Sequence, residues 1–235
     1  MFVVQAGHQN INANCDPLLH GGTGAPGEID WTPRVADAVV QLLIRNGVDA
    51  RHVDANFNCA SDVGSNFDGV LAIHYNSDPP DESGYFIGVG DPNVDGNAAG
   101  SAALMNSLRT AYQVATHLEL RQNWDSPNIS GYYLFRSLSP ATPFALAECG
   151  TGAPGAPDHD FLWNNIDIVA LGLANGVLLF MGKQVITPPP SPPSPPEPPP
   201  SPEPPPPDTT FDDDLIEAAR ATRDAIDAFL AKHGG

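Results

Sequence analysis

The sequence predicts an α/β fold: a twisted, mostly parallel or mixed sheet covered by helices on both faces. Three observations carry this reading. Short apolar runs, each about 4–8 residues long, alternate with longer segments of helical periodicity. Hydrophobic residues occupy 41% of 235 positions, enough for one sizeable core. The prolines, finally, are concentrated: residues 188–207 hold 15 of the 26. Outside that tract the chain has the ordinary punctuation of a folded domain.

Taken in order, Phe2 to Ala6 (FVVQA) is a short buried strand ended by Gly7. A loop rich in Asn, Gly and Pro follows from Gln9 to Gly27. Residues 30 to 46 place Val35, Val39, Leu42 and Leu43 at helical spacing, and Gly47 stops the helix. Val48 to Val53 is a second strand, and Gly69 to Tyr75 (GVLAIHY) a third, apolar enough to be central. Gly84 to Val89 (GYFIGV) is a fourth, and a helix is predicted from Asn97 to His117. Tyr132 to Phe135 reads as a strand leading into another buried run, Pro143 to Glu148 (PFALAE). Asp160 to Met181 is the last helix of a domain covering residues 1–184.

Residues 185–208 form a Pro-rich linker. Proline fixes φ and lacks an N–H donor, so this tract is expected as polyproline II, spanning roughly 60 Å if extended. A stiff spacer is the simpler reading; a PxxP ligand is the alternative. Residues 209–235 follow as one amphipathic helix. Asp212, Asp213 and Asp214 sit at its N-terminal end, and Leu215, Ala219, Thr222, Ile226, Phe229 and Leu230 make one stripe. About twenty residues of helix are marginal alone in water, so the stripe is expected to be covered: in a homodimer, by the first domain, or by a target.

Charge excludes several partners. The chain carries 7 Lys and Arg against 19 Asp and Glu before residue 188, and 3 against 9 from there on, for a net −18. No basic stripe exists to gather phosphates, so nucleic acid is excluded as an expected partner. Neither an anionic membrane surface nor membrane insertion is expected. No secretory signal is visible at Met1-Phe2-Val3-Val4, so synthesis in a cytoplasm is expected. Three cysteines, Cys15, Cys59 and Cys149, have no CxxC spacing. A Cys15–Cys59 disulfide and three reduced thiols both remain open.

Open α/β sheets place their sites at the carboxyl ends of strands. There the sequence puts Gly7-His8, then Ile73-His74-Tyr75-Asn76, then Ala147-Glu148-Cys149-Gly150, with Glu28 just before the first helix. Each residue alone has an ordinary structural reading, a hydrogen-bonded histidine or a carboxylate favoured by the helix dipole. Together, two imidazoles and a carboxylate suit a catalytic zinc with one open position, and a further glutamate suits a base.

The stretches VVQAGHQN, GAPGEIDWT, LAIHYNSD and GYYLFRSLSPATPFALAECG resemble the zinc-dependent N-acetylmuramoyl-L-alanine amidases of autolysins and phage endolysins. The resemblance covers about residues 1–182. It implies one Zn²⁺ held by His8, Glu28 and His74, Glu148 as the base, and Asn76 and Arg136 as substrate-contacting matches. It also implies the reaction, hydrolysis of the amide between N-acetylmuramic acid and L-alanine in peptidoglycan, at the bacterial wall; the residues by themselves imply only zinc-assisted hydrolysis. The pattern departs in two places. Gln9-Asn10 replace the usual two glycines after the first histidine, and a longer loop holds His20-Gly21-Gly22, which makes His20 a rival ligand. His8 is preferred because a strand tip holds a ligand more rigidly. Two alternatives stay open: a zinc peptidase cutting within the stem peptide, and a non-catalytic wall-binding module.

Overall fold

A computed structural model describes residues 1–8, 24–55, 66–77, 81–90, 98–121, 132, 134, 138–187, 217 and 219–223. The chain divides into two compact units, Met1–Pro189 and Pro190–Gly235. In the second unit the described residues, 217 and 219–223, are helical and exposed; the linker and the rest of the terminal helix lie outside the described residues.

Among its described residues the first unit has five strands: β1 (Phe2–Ala6), β2 (Ala50–Asp54), β3 (Gly69–Asn76), β4 (Phe86–Gly88) and β5 (Phe144–Thr151). Their order is β2-β1-β3-β5-β4. The first four in that row are parallel and β4 is an antiparallel edge, so the mixed α/β sheet is as expected. β3 is central and buried almost throughout (GVLAIHY), as its continuous apolar run required.

Strand alternation divides the side chains into two layers. Phe2, Val4, Leu71, Ile73, Ala145 and Ala147 face the larger cluster. Three long helices belong to it: α1 (Glu28–Arg45), α2 (Ala98–Thr116) and α4 (Ile166–Phe180). Val3, Val70, Ala72, Phe144 and Leu146 face the smaller cluster, covered by Phe67, Tyr132, Leu134 and Leu138. On that second face Leu134 is the one helical residue among those described.

Two expected elements change. Leu134 is helical rather than extended, and the Leu138 N–H donates to its carbonyl at 3.1 Å, an i→i+4 bond. Burial over Phe144 and Leu146 outweighs the strand preference of the aromatic run. The last helix is two: α3 (His159–Asn164) and α4, separated at Asn165, whose φ of −128° is outside helical range. Asn165 Nδ2 and its backbone N–H both donate to the Phe161 carbonyl, while its own carbonyl accepts from the Ile168 and Val169 N–H groups, so this residue ends one helix and starts the next.

Gly176 sets how closely α4 approaches α2. A Cβ there would lie 2.6 Å from Leu108 Cα, a backbone atom that cannot swing away. Gly176→Ala gains about 1 kcal/mol of helix propensity but overpacks the interface at about 1–3 kcal/mol. A lower denaturant midpoint is therefore expected; a raised midpoint would show that the helices can separate freely.

Candidate metal centre

The centre lies at the carboxyl end of β1 and β3. β1 ends at Ala6, and the Gly7 N–H donates to the Ile73 carbonyl at 2.9 Å. The Gly7 carbonyl in turn accepts from buried Thr32 Oγ1 at 2.6 Å. His8 then takes a left-handed φ of 57°, a conformation that costs a non-glycine residue of order 1 kcal/mol. This turn brings its imidazole edge-on to His74, with ring centroids 4.9 Å apart. Gly7 must lack a side chain, because a Cβ would run into the His74 ring.

Glu28 opens α1 rather than preceding it, and is 2% exposed. Its Oε2 accepts from the Ala25 N–H at 2.8 Å and lies 3.6 Å from His8 Nε2. Its Oε1 accepts from the Tyr75 N–H at 3.1 Å and lies 3.0 Å from His74 Nδ1. The Tyr75 hydroxyl donates to the Pro26 carbonyl at 2.7 Å, tying the turn before α1 to β3. A Cβ on Gly24 would collide with the Glu28 carboxylate and the His8 ring. Burial raises the Glu28 pKa to about 7, with His8 and the two backbone N–H groups pulling the other way. Burial also lowers that of His74, opposed by the charge of Glu148.

Glu148 lies within β5, three residues before its end, not at the tip where the sequence put it. It is the register partner of His74 across the parallel β3–β5 ladder, and alternation sends both side chains to the same face. Its Oε2 is buried without a hydrogen-bond partner. Its pKa is pushed up to about 8, chiefly by burial and further by the charge of Glu28, with His74 opposing.

Donor atoms of His8, Glu28 and His74 lie within 4.8 Å of one another, and they are the metal-capable group among the described residues. The set fits a metal. Two imidazoles and one carboxylate are a familiar zinc donor set, glycines hold space beside the ligands, and the buried Glu148 Oε2 lacks the partner that a cation or its water would provide. His20 and Arg136 lie outside the described residues, as do Cys15 and Cys59. Asn76 closes β3; its Oδ1 accepts from the Ser77 N–H at 2.8 Å and its carbonyl from the Gly152 N–H at 2.9 Å. Cys149 is a buried free thiol.

No family profile matches the sequence, and no curated protein does. Solved structures do match. Ami1 of Mycobacterium abscessus, an N-acetylmuramyl-L-alanine amidase, aligns with a TM-score of 0.60 at 18% identity, covering 77% of this chain and 97% of its own. AmiC2 of Nostoc punctiforme, an N-acetylmuramoyl-L-alanine amidase, aligns at 0.54 and 20%, covering 77% and 97%. The fold is that of the N-acetylmuramoyl-L-alanine amidases. The catalytic domain of the CD27L endolysin, which targets Clostridia difficile, has it too, at 0.53 and 11% identity, covering 79% and 98%. The alignments thus take in nearly the whole of each of these solved chains and about three quarters of this one. Among the described residues no helix is long and apolar enough to cross a membrane.

Gln5 and Tyr132 are site residues that the sequence reading missed or left undecided. Tyr132 packs edge-on to His74, at 5.3 Å between centroids, and stacks on Phe144 at 6.1 Å. Its position, 58 residues from His74, follows no spacing rule; the one available signal was a polar Gln5 inside an apolar strand.

Proposed function

We propose that this chain is a zinc-dependent N-acetylmuramoyl-L-alanine amidase that hydrolyses the amide between the lactyl group of N-acetylmuramic acid and L-alanine in peptidoglycan. The observation that carries the reading is the triangle of His8, Glu28 and His74 beside Glu148, on an amidase fold. A Zn²⁺ held by the three donors would polarise the scissile carbonyl, lower the pKa of water towards neutrality, and offset the burial that raises both glutamates.

Glu148 takes the proton of the attacking water on a carboxylate oxygen and passes it to the leaving nitrogen of L-alanine. It suits this role because its Oε2 is uncommitted and its pKa is already tuned upward. Glu28 is a poorer base, since both its oxygens accept backbone N–H groups. Residues 185–208 act as a spacer and 209–235 as an accessory helix for self-association or anchoring. Delivery to the wall by phage lysis or a non-classical route is part of this reading.

Mass spectrometry of digested peptidoglycan tests the bond directly. Free L-alanine amino termini on intact glycan strands are expected, and chelation should abolish them. New amino termini elsewhere in the stem would move the assignment to a peptidase. Zinc-loaded protein that leaves several wall types intact would point to a binding module.

A further inference from the structure

A hydrogen-bond chain reaches His74 from the side away from Glu28. It begins at Gln5, fully buried in β1. Gln5 pairs in register with Ala72 of β3, so His74 stands two residues further along on the same face. The Tyr132 hydroxyl donates to Gln5 Oε1 at 2.6 Å, and its oxygen lies 3.3 Å from His74 Nε2.

A phenol has one hydrogen and a neutral imidazole one N–H. The shorter contact identifies where the phenolic hydrogen goes. If it pointed to His74 instead, Gln5 Oε1 would face a phenolic lone pair at 2.6 Å with no proton between two oxygens. With that hydrogen committed to Gln5, the Tyr132 oxygen accepts from His74 Nε2–H. In that arrangement Nδ1 is the nitrogen left for a cation; it lies 3.0 Å from Glu28 Oε1, which competes for the ring proton when no cation is bound.

We propose that Tyr132, oriented by Gln5, is a positioning residue that holds His74 as its Nε2–H tautomer and so presents Nδ1 as the donor to a divalent cation. The inference rests on the reading of His74 as a zinc ligand. The two tautomers of a neutral imidazole are close in energy, so an acceptor at the outer nitrogen favours the form whose inner nitrogen is free for a cation. The Tyr132 ring is fixed independently by Phe144, which lets the hydroxyl be removed without moving the ring.

The test uses the full chain, metal-free and zinc-loaded, with long-range ¹H–¹⁵N correlation of the imidazoles and zinc affinity by chelator competition. Zinc-loaded wild type should show His74 as Nε2–H, with the metal on Nδ1. In Tyr132→Phe the acceptor for Nε2–H is gone, and zinc affinity should fall about 10–100-fold. Gln5→Met should weaken zinc binding in the same direction with the hydroxyl still present, because the phenolic hydrogen is freed to donate to Nε2 and opposes the zinc-bound tautomer; a merely structural tyrosine would not respond so. If Gln5→Met does not fold, Tyr132→Phe decides alone. An Nδ1–H ring in the zinc-loaded wild type, or wild-type zinc affinity in Tyr132→Phe, overturns the proposal. A wild type that takes up no zinc overturns it together with the amidase reading, whereas zinc uptake with peptidoglycan left intact removes the amidase reading alone.

Discussion

Glu148→Gln is expected to slow peptidoglycan hydrolysis by about 10²–10⁴-fold, the usual contribution of a positioned general base, while zinc content stays at the wild-type level. The substitution keeps shape and length and removes only the ability to take a proton. Glu148 stands beside the donor triangle, as the β-ladder neighbour of His74, so the ligands themselves are untouched. Among the described residues the neighbouring carboxylate, Glu28, is a poor replacement base, since it is already held by the Ala25 and Tyr75 N–H groups. The variant should lose no stability above neutral pH, where the wild-type carboxyl is forced to ionise in a buried position. Initial rates of L-alanine amino-terminus release, measured beside zinc content, decide the matter. A rate within tenfold of wild type would assign the proton transfer elsewhere.

Zinc affinity and fold stability are expected to respond to pH with opposite signs. Glu28 titrates near 7 in the metal-free protein because burial penalises its charge. A ligand must be deprotonated to bind, so affinity should fall about tenfold per pH unit below 7, roughly a hundredfold by pH 5. The metal-free fold behaves in reverse. Glu28 and Glu148 have folded-state pKa values raised above the ordinary 4.5, so the folded state binds more protons than the unfolded one between about pH 4.5 and 8. The stability they contribute is fully present below 4.5 and is lost as pH rises through 7 to 8, at up to about 1.4 kcal/mol per unit for each group. The gap in melting temperature between zinc-loaded and metal-free protein should therefore widen from pH 5 to pH 8. Titration calorimetry and thermal melts across that range check both signs; a gap that narrows would mean that the carboxylates are not the titrating groups.

Much of the centre was legible in the sequence because each of its members ends or opens a strongly patterned element. His8 follows a strand whose bounds the apolar run marked without error, and His74 sits in the most apolar run of the chain. Glu28 was placed one turn boundary away from its position, because Gly27, with φ of 89°, starts the helix earlier than its apolar stripe does. Glu148 was placed at a strand end, whereas pairing with β3 continues through Thr151; a polar residue in a strand looks like a terminus when its partner across the ladder is not known. Leu134 and Asn165 were misread for another reason: tertiary burial and a local side-chain bond overrode propensity. The Gln5–Tyr132–His74 chain was beyond reach. It joins residues 127 and 58 positions apart, through contacts that only the folded sheet creates.

The pairing of His74 with Glu148 has a consequence for how the protein could be rebuilt. Adjacent strands lie about 4.8 Å apart, so the spacing between His74 and Glu148 is dictated by backbone hydrogen bonds and not by any loop. Connections leaving the sheet can be lengthened, exchanged or grafted from a relative without retuning that spacing, provided the β3–β5 register survives. A slip of one residue, by contrast, would turn Glu148 to the opposite face and separate the two groups completely. For a designer, the ladder is the part to leave alone, and the loops are the part on which new wall specificities can be tried.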